Sequence, residues 1–407
     1  MADIKLQTIP EGTLGIIAMK NIEPLAKKVD AYLAEWRQER EAAAGENAIH
    51  FTGYQRDSYL MAARTPRFGS GEGKGQILES VRGMDIYIMI DVLNHSLTYK
   101  LCGIENHMSP DDHYQDLKRI IGAIEGKAKR VNVIMPFLYE SRQHRRTTRE
   151  SLDCAAMLQE LMALGIENII TFDAHDPRVQ NAIPDKGFEN IACTYQFIKA
   201  IGKSAPDLPL DSDHLMIISP DEGGTGRAIT FANYLNVNMG MFYKRRDYSQ
   251  IVNGKNPIVA HEYLGNDLAG KDVLIIDDMI SSGDSIIEVA TELKKRNANR
   301  IFAAATFGLF TNGMEKFDKA YEEGLIYRVL TTNLTYQRPE LFDREYYVSV
   351  DLSKYIALVI DNLNHNNSLS SLLTPTDRIN AYLARHREAQ KNMPQQDEKK
   401  EENAEEQ

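Results

Sequence analysis

The stretch Val273-Leu274-Ile275-Ile276-Asp277-Asp278-Met279-Ile280-Ser281-Ser282-Gly283-Asp284-Ser285 decides the fold. Its opening apolar run suits a strand buried on both faces, as in a parallel sheet. Two carboxylates end the run, and a small, hydroxyl-rich turn then opens into a helix from Ile286 onward. The backbone N–H groups at such a helix start, with the hydroxyls of Ser281, Ser282 and Ser285, make a phosphate cradle. Asp277 and Asp278 would repel a phosphate, so they suit the hydroxyls of a sugar or a Mg²⁺ ion bridging to it. The plainer alternative is a capped helix after a strand with two exposed acids. Against it, two adjacent acids ending a buried strand are costly without a partner.

Working outward, apolar runs of the same kind occur at 85–90, 131–135, 168–172, 215–218, 301–306 and 325–330, with helical stretches between them. The clearest helix runs from Ser151, read as its N-cap, to Leu164, with Gly165 as its stop. Strand alternating with helix means an α/β architecture. The spacing predicts two such units, giving domains 1–183 and 184–370, followed by a C-terminal helix and a disordered acidic tail over 371–407. Residues 91–116 read as a long excursion from the sheet, and 247–269, rich in Asn, Gly and Asp, as a second long connection.

Composition narrows the function classes. The chain has 407 residues, 47 basic and 58 acidic, for a formal net charge of −11. With 43% hydrophobic and 26% charged residues it is ordinary globular protein, long enough for two or three domains. The acidic balance argues against a nucleic-acid or membrane-surface partner, both of which need a cationic field. Cys102, Cys154 and Cys193 form no C-x-x-C pair, no run is apolar enough to span a membrane, and no signal-peptide pattern opens the chain. The expected location is cytoplasmic.

Four more segments carry chemistry-bearing residues. Ser219-Pro220-Asp221-Glu222-Gly223-Gly224-Thr225-Gly226-Arg227 follows an apolar run; its glycines let backbone approach an oxyanion, and Asp221 can hold a metal. Tyr243-Lys244-Arg245-Arg246 sets three cations before the second long connection, as an electrostatic clamp on a closing loop would. Ser141-Arg142-Gln143-His144-Arg145-Arg146 is a solvated basic loop or an anion site, with nothing local to choose between them. In Asp173-Ala174-His175 the two outer residues alternate at a strand end, where a metal-ligand pair and a structural role both stay open.

Taken in order, these segments resemble the ribose-phosphate pyrophosphokinase family, over roughly residues 14 to 370. The resemblance implies two tandem type I phosphoribosyltransferase-like domains, each a largely parallel sheet flanked by helices, only the second keeping the ribose-phosphate loop. It implies transfer of the β,γ-diphosphoryl group of ATP to the anomeric hydroxyl of ribose 5-phosphate, releasing AMP, with Mg²⁺ as cofactor. The expected assembly is a homo-oligomer, dimer-based and up to a hexamer. By resemblance, Arg142, Gln143, Phe68, Ser70, Gly71 and Glu72 bind ATP; His175 and Asp221 contact Mg²⁺; Lys244 and Arg246 are catalytic. Asp277, Asp278, Ser281, Ser282, Gly283, Asp284 and Ser285 form the ribose 5-phosphate site. The chain departs from the family pattern at Ser281, where an acid is usual, and at Asp284, where a glycine is usual. It departs again at Ser70 and His144, each in place of an Asp or Asn in one case and an Asp in the other. The 91–116 excursion and the tail are additions. A non-catalytic regulatory homologue that assembles with an active synthetase is the alternative reading, and a transferase consuming the product a third.

Overall fold

The structure, a computed structural model, describes residues 9–44, 52–246 and 258–392, with backbone alone at 44, 244–246 and 258–261. The chain begins with β1 (Thr13–Ala18) and the long helix α1 (Glu23–Ala44), then two short strands, β2 (Ala63–Arg64) and β3 (Gln76–Ile77). Next come β4 (Met84–Met89), a hairpin of β5 (Thr98–Leu101) and β6 (Ile104–His107), and α2 (Pro110–Ile124). They are followed by β7 (Arg130–Ile134), α3 (Asp153–Ala163), β8 (Asn168–Phe172) and β9 (Gly187–Ile191). The order β1-β4-β7-β8-β9 makes a five-stranded sheet, parallel throughout.

After α4 (Thr194–Ser204) the second half repeats the plan. It comprises β10 (Leu215–Ser219), α5 (Thr225–Leu235), β11 (Asn238–Arg246), β12 (Ile258–Gly265), β13 (Asp272–Ile280), α6 (Asp284–Lys295), β14 (Ile301–Gly308), α7 (Glu315–Glu322), β15 (Arg328–Thr332) and β16 (Tyr347–Val350). These strands form a seven-stranded sheet in the order β12-β11-β10-β13-β14-β15-β16, parallel except for the β11–β12 pair. The chain ends in α8 (Ser353–Asn364), α9 (Ser370–Leu373) and α10 (Thr376–Lys391).

Each of the apolar runs lies on a strand, and the reason is visible in how the second sheet packs. Along β13, Val273 and Ile275 enter one core while Leu274 and Ile276 enter the other; Met216 and Ile218 on β10 divide from Leu215 and Ile217 in the same way. Both faces are covered, so alternation disappears from the sequence. The 325–330 run is placed early, since the strand is Arg328–Thr332.

Several expectations are corrected. Ser151 does not cap α3: Leu152 holds the N-cap position, and the Ser151 hydroxyl donates instead to Asp153 at 2.6 Å. The 91–116 excursion is ordered, with the β5–β6 hairpin and then α2, whose Ser109 and Asp112 close a capping box. The 247–269 connection contains β12, which returns antiparallel to β11; its residues 247–257 lie outside the described residues, as does the tail from 393. The strand Gly187–Ile191, which a boundary at 183 assigns to the second domain, pairs with β8 in the first sheet. One helix crosses over: α8 packs on α1 of the first half, whereas α4 packs on β16 and α10.

Candidate active site

The two sheets meet through the carboxyl ends of their strands, the region where α/β folds place ligands. Phe137, just past β7, touches Phe307 on β14 edge to face, with ring centres 5.0 Å apart. Just past β8, Asp173 turns into the left-handed region at φ +40°, and its carboxylate accepts from Thr306 Oγ1 at 2.6 Å and from the Cys193 N–H at 3.2 Å. That contact makes Asp173 a tie between the halves. It does not form a ligand pair with His175.

His175 goes the other way. Its Nδ1 lies 2.7 Å from Asp278 Oδ2 on β13, in the opposite half of the chain. The strand's alternation explains the meeting: Asp278 has the parity of Leu274 and Ile276, which face the core shared with the first half. Asp277, of opposite parity, caps the following residue, with Asp278 N–H donating to its Oδ1 at 2.8 Å. Burial and the neighbouring Asp278 charge push the Asp277 carboxyl well above the carboxylate range. Burial acts the same way on Asp278, but the His175 hydrogen bond and the Arg227 charge outweigh it and hold Asp278 low. The bond to Asp278, against the opposing effect of burial, raises His175.

The sequence reading assigned no role to three neighbours of this pair. Arg227, in the first turn of α5, places its charge near Asp277, Asp278 and His175. His144 lies with its ring centre 5.3 Å from that of His175 and its Nε2 3.5 Å from Asp176, while its Nδ1 is buried without a partner. Asp176 is held low chiefly by its hydrogen bond with Arg178. The only hint of His144 was its place directly after Arg142-Gln143.

The segment expected to cradle a phosphate is a turn into α6. Gly283 supplies the N-cap at φ +86°, and a Cβ there would sit 2.3 Å from the Phe317 ring, so only glycine fits. The Ser282 hydroxyl donates to Asp284 Oδ2 at 2.9 Å, and the other Asp284 oxygen is ion-paired with Lys316. That pair holds the Asp284 carboxyl below its ordinary range, together with the Ser282 bond. The acid that replaces the family's glycine is thereby engaged by α7. Ser281 offers its carbonyl to Thr311 N–H at 3.0 Å, and Ser285 is the second residue of α6.

Other candidates are placed as follows. Asp221 is exposed in its turn, with Oδ1 accepting from Gly224 N–H at 3.1 Å; a Cβ on Gly224 would come within 2.8 Å of Ser219 Oγ. Arg142 is exposed, but the Gln143 amide is spent on its own loop, donating to the Ser151 carbonyl at 2.7 Å. The backbone of Lys244 and Arg246 ends β11 opposite His261 and Ile258; their side chains lie outside the described residues. Phe68, Ser70, Gly71 and Glu72 form a turn, Ser70 donating to Glu72 at 2.9 Å. Among the described residues no hydrogen bond, ion pair or ring contact joins that turn to His175 or Asp278.

A divalent cation fits the donor set. The Asp278 carboxylate fixes the Nδ1–H of His175, which leaves Nε2 with its lone pair on the neutral ring, the arrangement common among metal-ligating histidines. Among the described residues no three His, Cys, Asp or Glu cluster for a metal. Mg²⁺ needs no such cage, since it keeps waters and phosphate oxygens beside one or two protein ligands.

Comparison with known proteins adds the family. The model of the N-terminal domain of ribose phosphate pyrophosphokinase matches residues 14–165, and that of the phosphoribosyl transferase domain matches residues 189–332. The ribose-phosphate pyrophosphokinase of Pasteurella multocida is 27% identical over 325 residues, covering 77% of this chain and 92% of that protein. That of Chromobacterium violaceum is 28% identical over 258 residues, covering 63% and 70%. In fold, the chain is similar to the crystal structure of phosphoribosylpyrophosphate synthetase from Mycobacterium smegmatis, with a TM-score of 0.67 and 21% identity. That match covers 87% of this chain and all of the other.

Proposed function

The chain belongs to the ribose-phosphate pyrophosphokinase family, and from that premise we propose that it transfers the β,γ-diphosphoryl group of ATP to the anomeric hydroxyl of ribose 5-phosphate. The products are 5-phosphoribosyl 1-pyrophosphate, the activated sugar for nucleotide biosynthesis, and AMP. The observation that carries this reading is the His175–Asp278 contact, which joins the ATP-side half to the ribose-phosphate half at 2.7 Å. Two substrates bound on opposite halves would meet there.

Each group then has a role. The α6 N-terminus, with Ser281, Ser282, Gly283 and Ser285, holds the 5-phosphate, and Asp277 and Asp278 accept from the ribose hydroxyls. Arg142 and the 68–72 turn bind ATP. Attack at phosphorus builds negative charge on equatorial oxygens, so Lys244 and Arg246 at the end of β11 are suited to stabilise it, with Arg227 as a further cation near the two acids. His175 and Asp221 would hold Mg²⁺. When bound, the ion supplies Lewis-acid neutralisation of the phosphate chain. Homo-oligomeric assembly and a cytoplasmic location belong to the same proposal, the latter in keeping with three cysteines that stay unpaired.

The Asp284–Lys316 pair favours the active enzyme over the regulatory homologue, because it neutralises the acid that would repel a phosphate. The test is direct. Purified protein with ATP, ribose 5-phosphate and Mg²⁺ should yield AMP and the activated sugar in equal amounts. Folded, ATP-binding protein that yields neither would leave the regulatory reading. Lys244→Ala should keep substrate binding while turnover falls by about 10²–10³-fold, as expected on removing a group that meets developing charge; unchanged turnover would take Lys244 out of the mechanism.

A further inference from the structure

The β5–β6 hairpin belongs to the 91–116 excursion, an addition to the family pattern, yet it is packed against the turn assigned to the nucleotide. The hairpin reverses at Cys102 (φ +50°) and Gly103 (φ +84°), a pair of left-handed residues that matches the twist of two antiparallel strands. Thr98 Oγ1 ties it across to Glu105 Oε1 at 2.7 Å, and His107 Nδ1 lies 2.8 Å from the His95 carbonyl, so it holds its own shape.

Three contacts run from it to the 67–73 segment. The Cys102 N–H donates to the Gly69 carbonyl at 2.9 Å. Leu101 covers Gly71 so closely that a Cβ there would lie 2.7 Å from Leu101 Cδ1. Tyr99 offers its ring to Arg67, whose guanidinium carbon stands 5.1 Å from the ring centre. Arg67 is in turn anchored to Asp116 of α2 at 2.8 Å. Within the turn, Phe68 N–H donates to the Glu72 carbonyl at 2.7 Å and Gly71 N–H to the Phe68 carbonyl at 2.9 Å. Phe68 is 55% exposed, with Lys74 Nζ 5.9 Å from its ring centre, on a turn held from behind.

We infer that the hairpin is a positioning element for the nucleotide: Tyr99, Leu101 and Cys102 hold the 68–72 turn in the shape in which Phe68 meets the purine base. An aromatic face binds a base by stacking, and the affinity it gives depends on how little ordering remains to be done on binding. This rests on the proposed function in one respect only, that the 68–72 turn binds ATP. Leu101 and Tyr99 touch no substrate; they act through the turn.

The variants are Leu101→Ala and the double change Leu101→Ala with Tyr99→Ala, with Leu101→Met as the conservative control. Three quantities are read: steady-state constants for both substrates, ATP affinity by calorimetry without ribose 5-phosphate, and hydrogen exchange at the Phe68 and Gly71 amides. Leu101→Ala should speed exchange at those amides and weaken ATP by about tenfold, the scale of one lost aliphatic contact. The KM for ribose 5-phosphate and kcat should hold, and Leu101→Met should restore ATP affinity. Faster exchange with ATP affinity unchanged would overturn the inference, as would unchanged exchange. Equal losses for both substrates, unrelieved by Leu101→Met, would mark mere unfolding and overturn it too. If the wild type turns over nothing, yet calorimetry shows the tenfold loss, the proposed reaction fails and the positioning role stands.

Discussion

His175 shows how one side chain answers to two halves of a chain. Its bond to Asp278 raises its titration above the ordinary histidine value, so Asp278→Asn should bring it back down. An NMR titration of the His175 ring reads this, and an unchanged midpoint would remove the pair. The sign follows from the raised value. The pair's stabilisation is complete below the unfolded pKa of about 6.5 and fades as pH rises through the folded one. With the ring 38% exposed, solvent keeps that contribution small. The sequence exposed this residue only in part. Asp173 and His175 could be seen to end a strand, but their divergence to Thr306 and Asp278 depends on a φ of +40° at Asp173 and on contacts more than a hundred residues away. His144 left no signal beyond its place after Arg142-Gln143, and Arg227 none of its own, because their neighbours, His175 and Asp176 for the one and Asp277 and Asp278 for the other, lie tens of residues away along the chain.

At the scale of elements, the β13-to-α6 turn was the most legible part of the molecule. Its strand, hydroxyls and glycine do local work, and local work leaves a pattern in sequence, even though Asp278 reaches across to His175. Gly283→Ala tests that locality. A methyl group at φ +86° against Phe317 should cost about 1–3 kcal/mol and raise the KM for ribose 5-phosphate, measured by denaturant unfolding and steady-state kinetics. Stability within error of wild type would mean that Phe317 moves aside freely. The elements that escaped notice lie at or near sheet edges. β9 carries half-buried Glu189 and Asn190 between Phe188 and Ile191, and β16 is four residues long. β12 carries Glu262 amid the Asn, Gly and Asp signals that made 247–269 read as a loop. A strand covered on both faces advertises itself through an unbroken apolar run, and one at an edge has no need of it.

Over the whole molecule the chain builds two sheets in tandem, with β9 in the first of them beyond residue 183, and α8 crosses from one unit to the other. α8 follows the last strand of the second sheet but seals the first. Its Asp361 binds Arg40 through both oxygens, with Arg37 and His365 also facing it, and Arg37 is 1% exposed. Asn364, fully buried, donates to the Gly12 carbonyl and to Asp85, and accepts from Arg37 at 2.7 Å. Burial works to raise Asp361, but its arginine partners outweigh this and hold it low. Its stabilisation is therefore present above the unfolded value near 3.8 and drains away as pH falls through the folded one. Asp361→Asn should cost about 3–5 kcal/mol at neutral pH, the penalty of leaving buried cations unpaired, and should flatten the acid limb of the stability curve. An acid limb like that of the wild type would assign acid sensitivity elsewhere. No periodicity in α8 could have told which sheet it covers.

That seal has a consequence for synthesis. Translation delivers the first sheet complete by residue 191, yet Asn364 and Asp361 leave the ribosome only after the whole second sheet has been made. The early half must wait with its α1 flank bare, a state that invites chaperones and proteases. Ribosome-bound chains halted near residue 300 should be cut readily within α1, and chains extended past 392 should resist; equal resistance would show that the early half closes without its late strap.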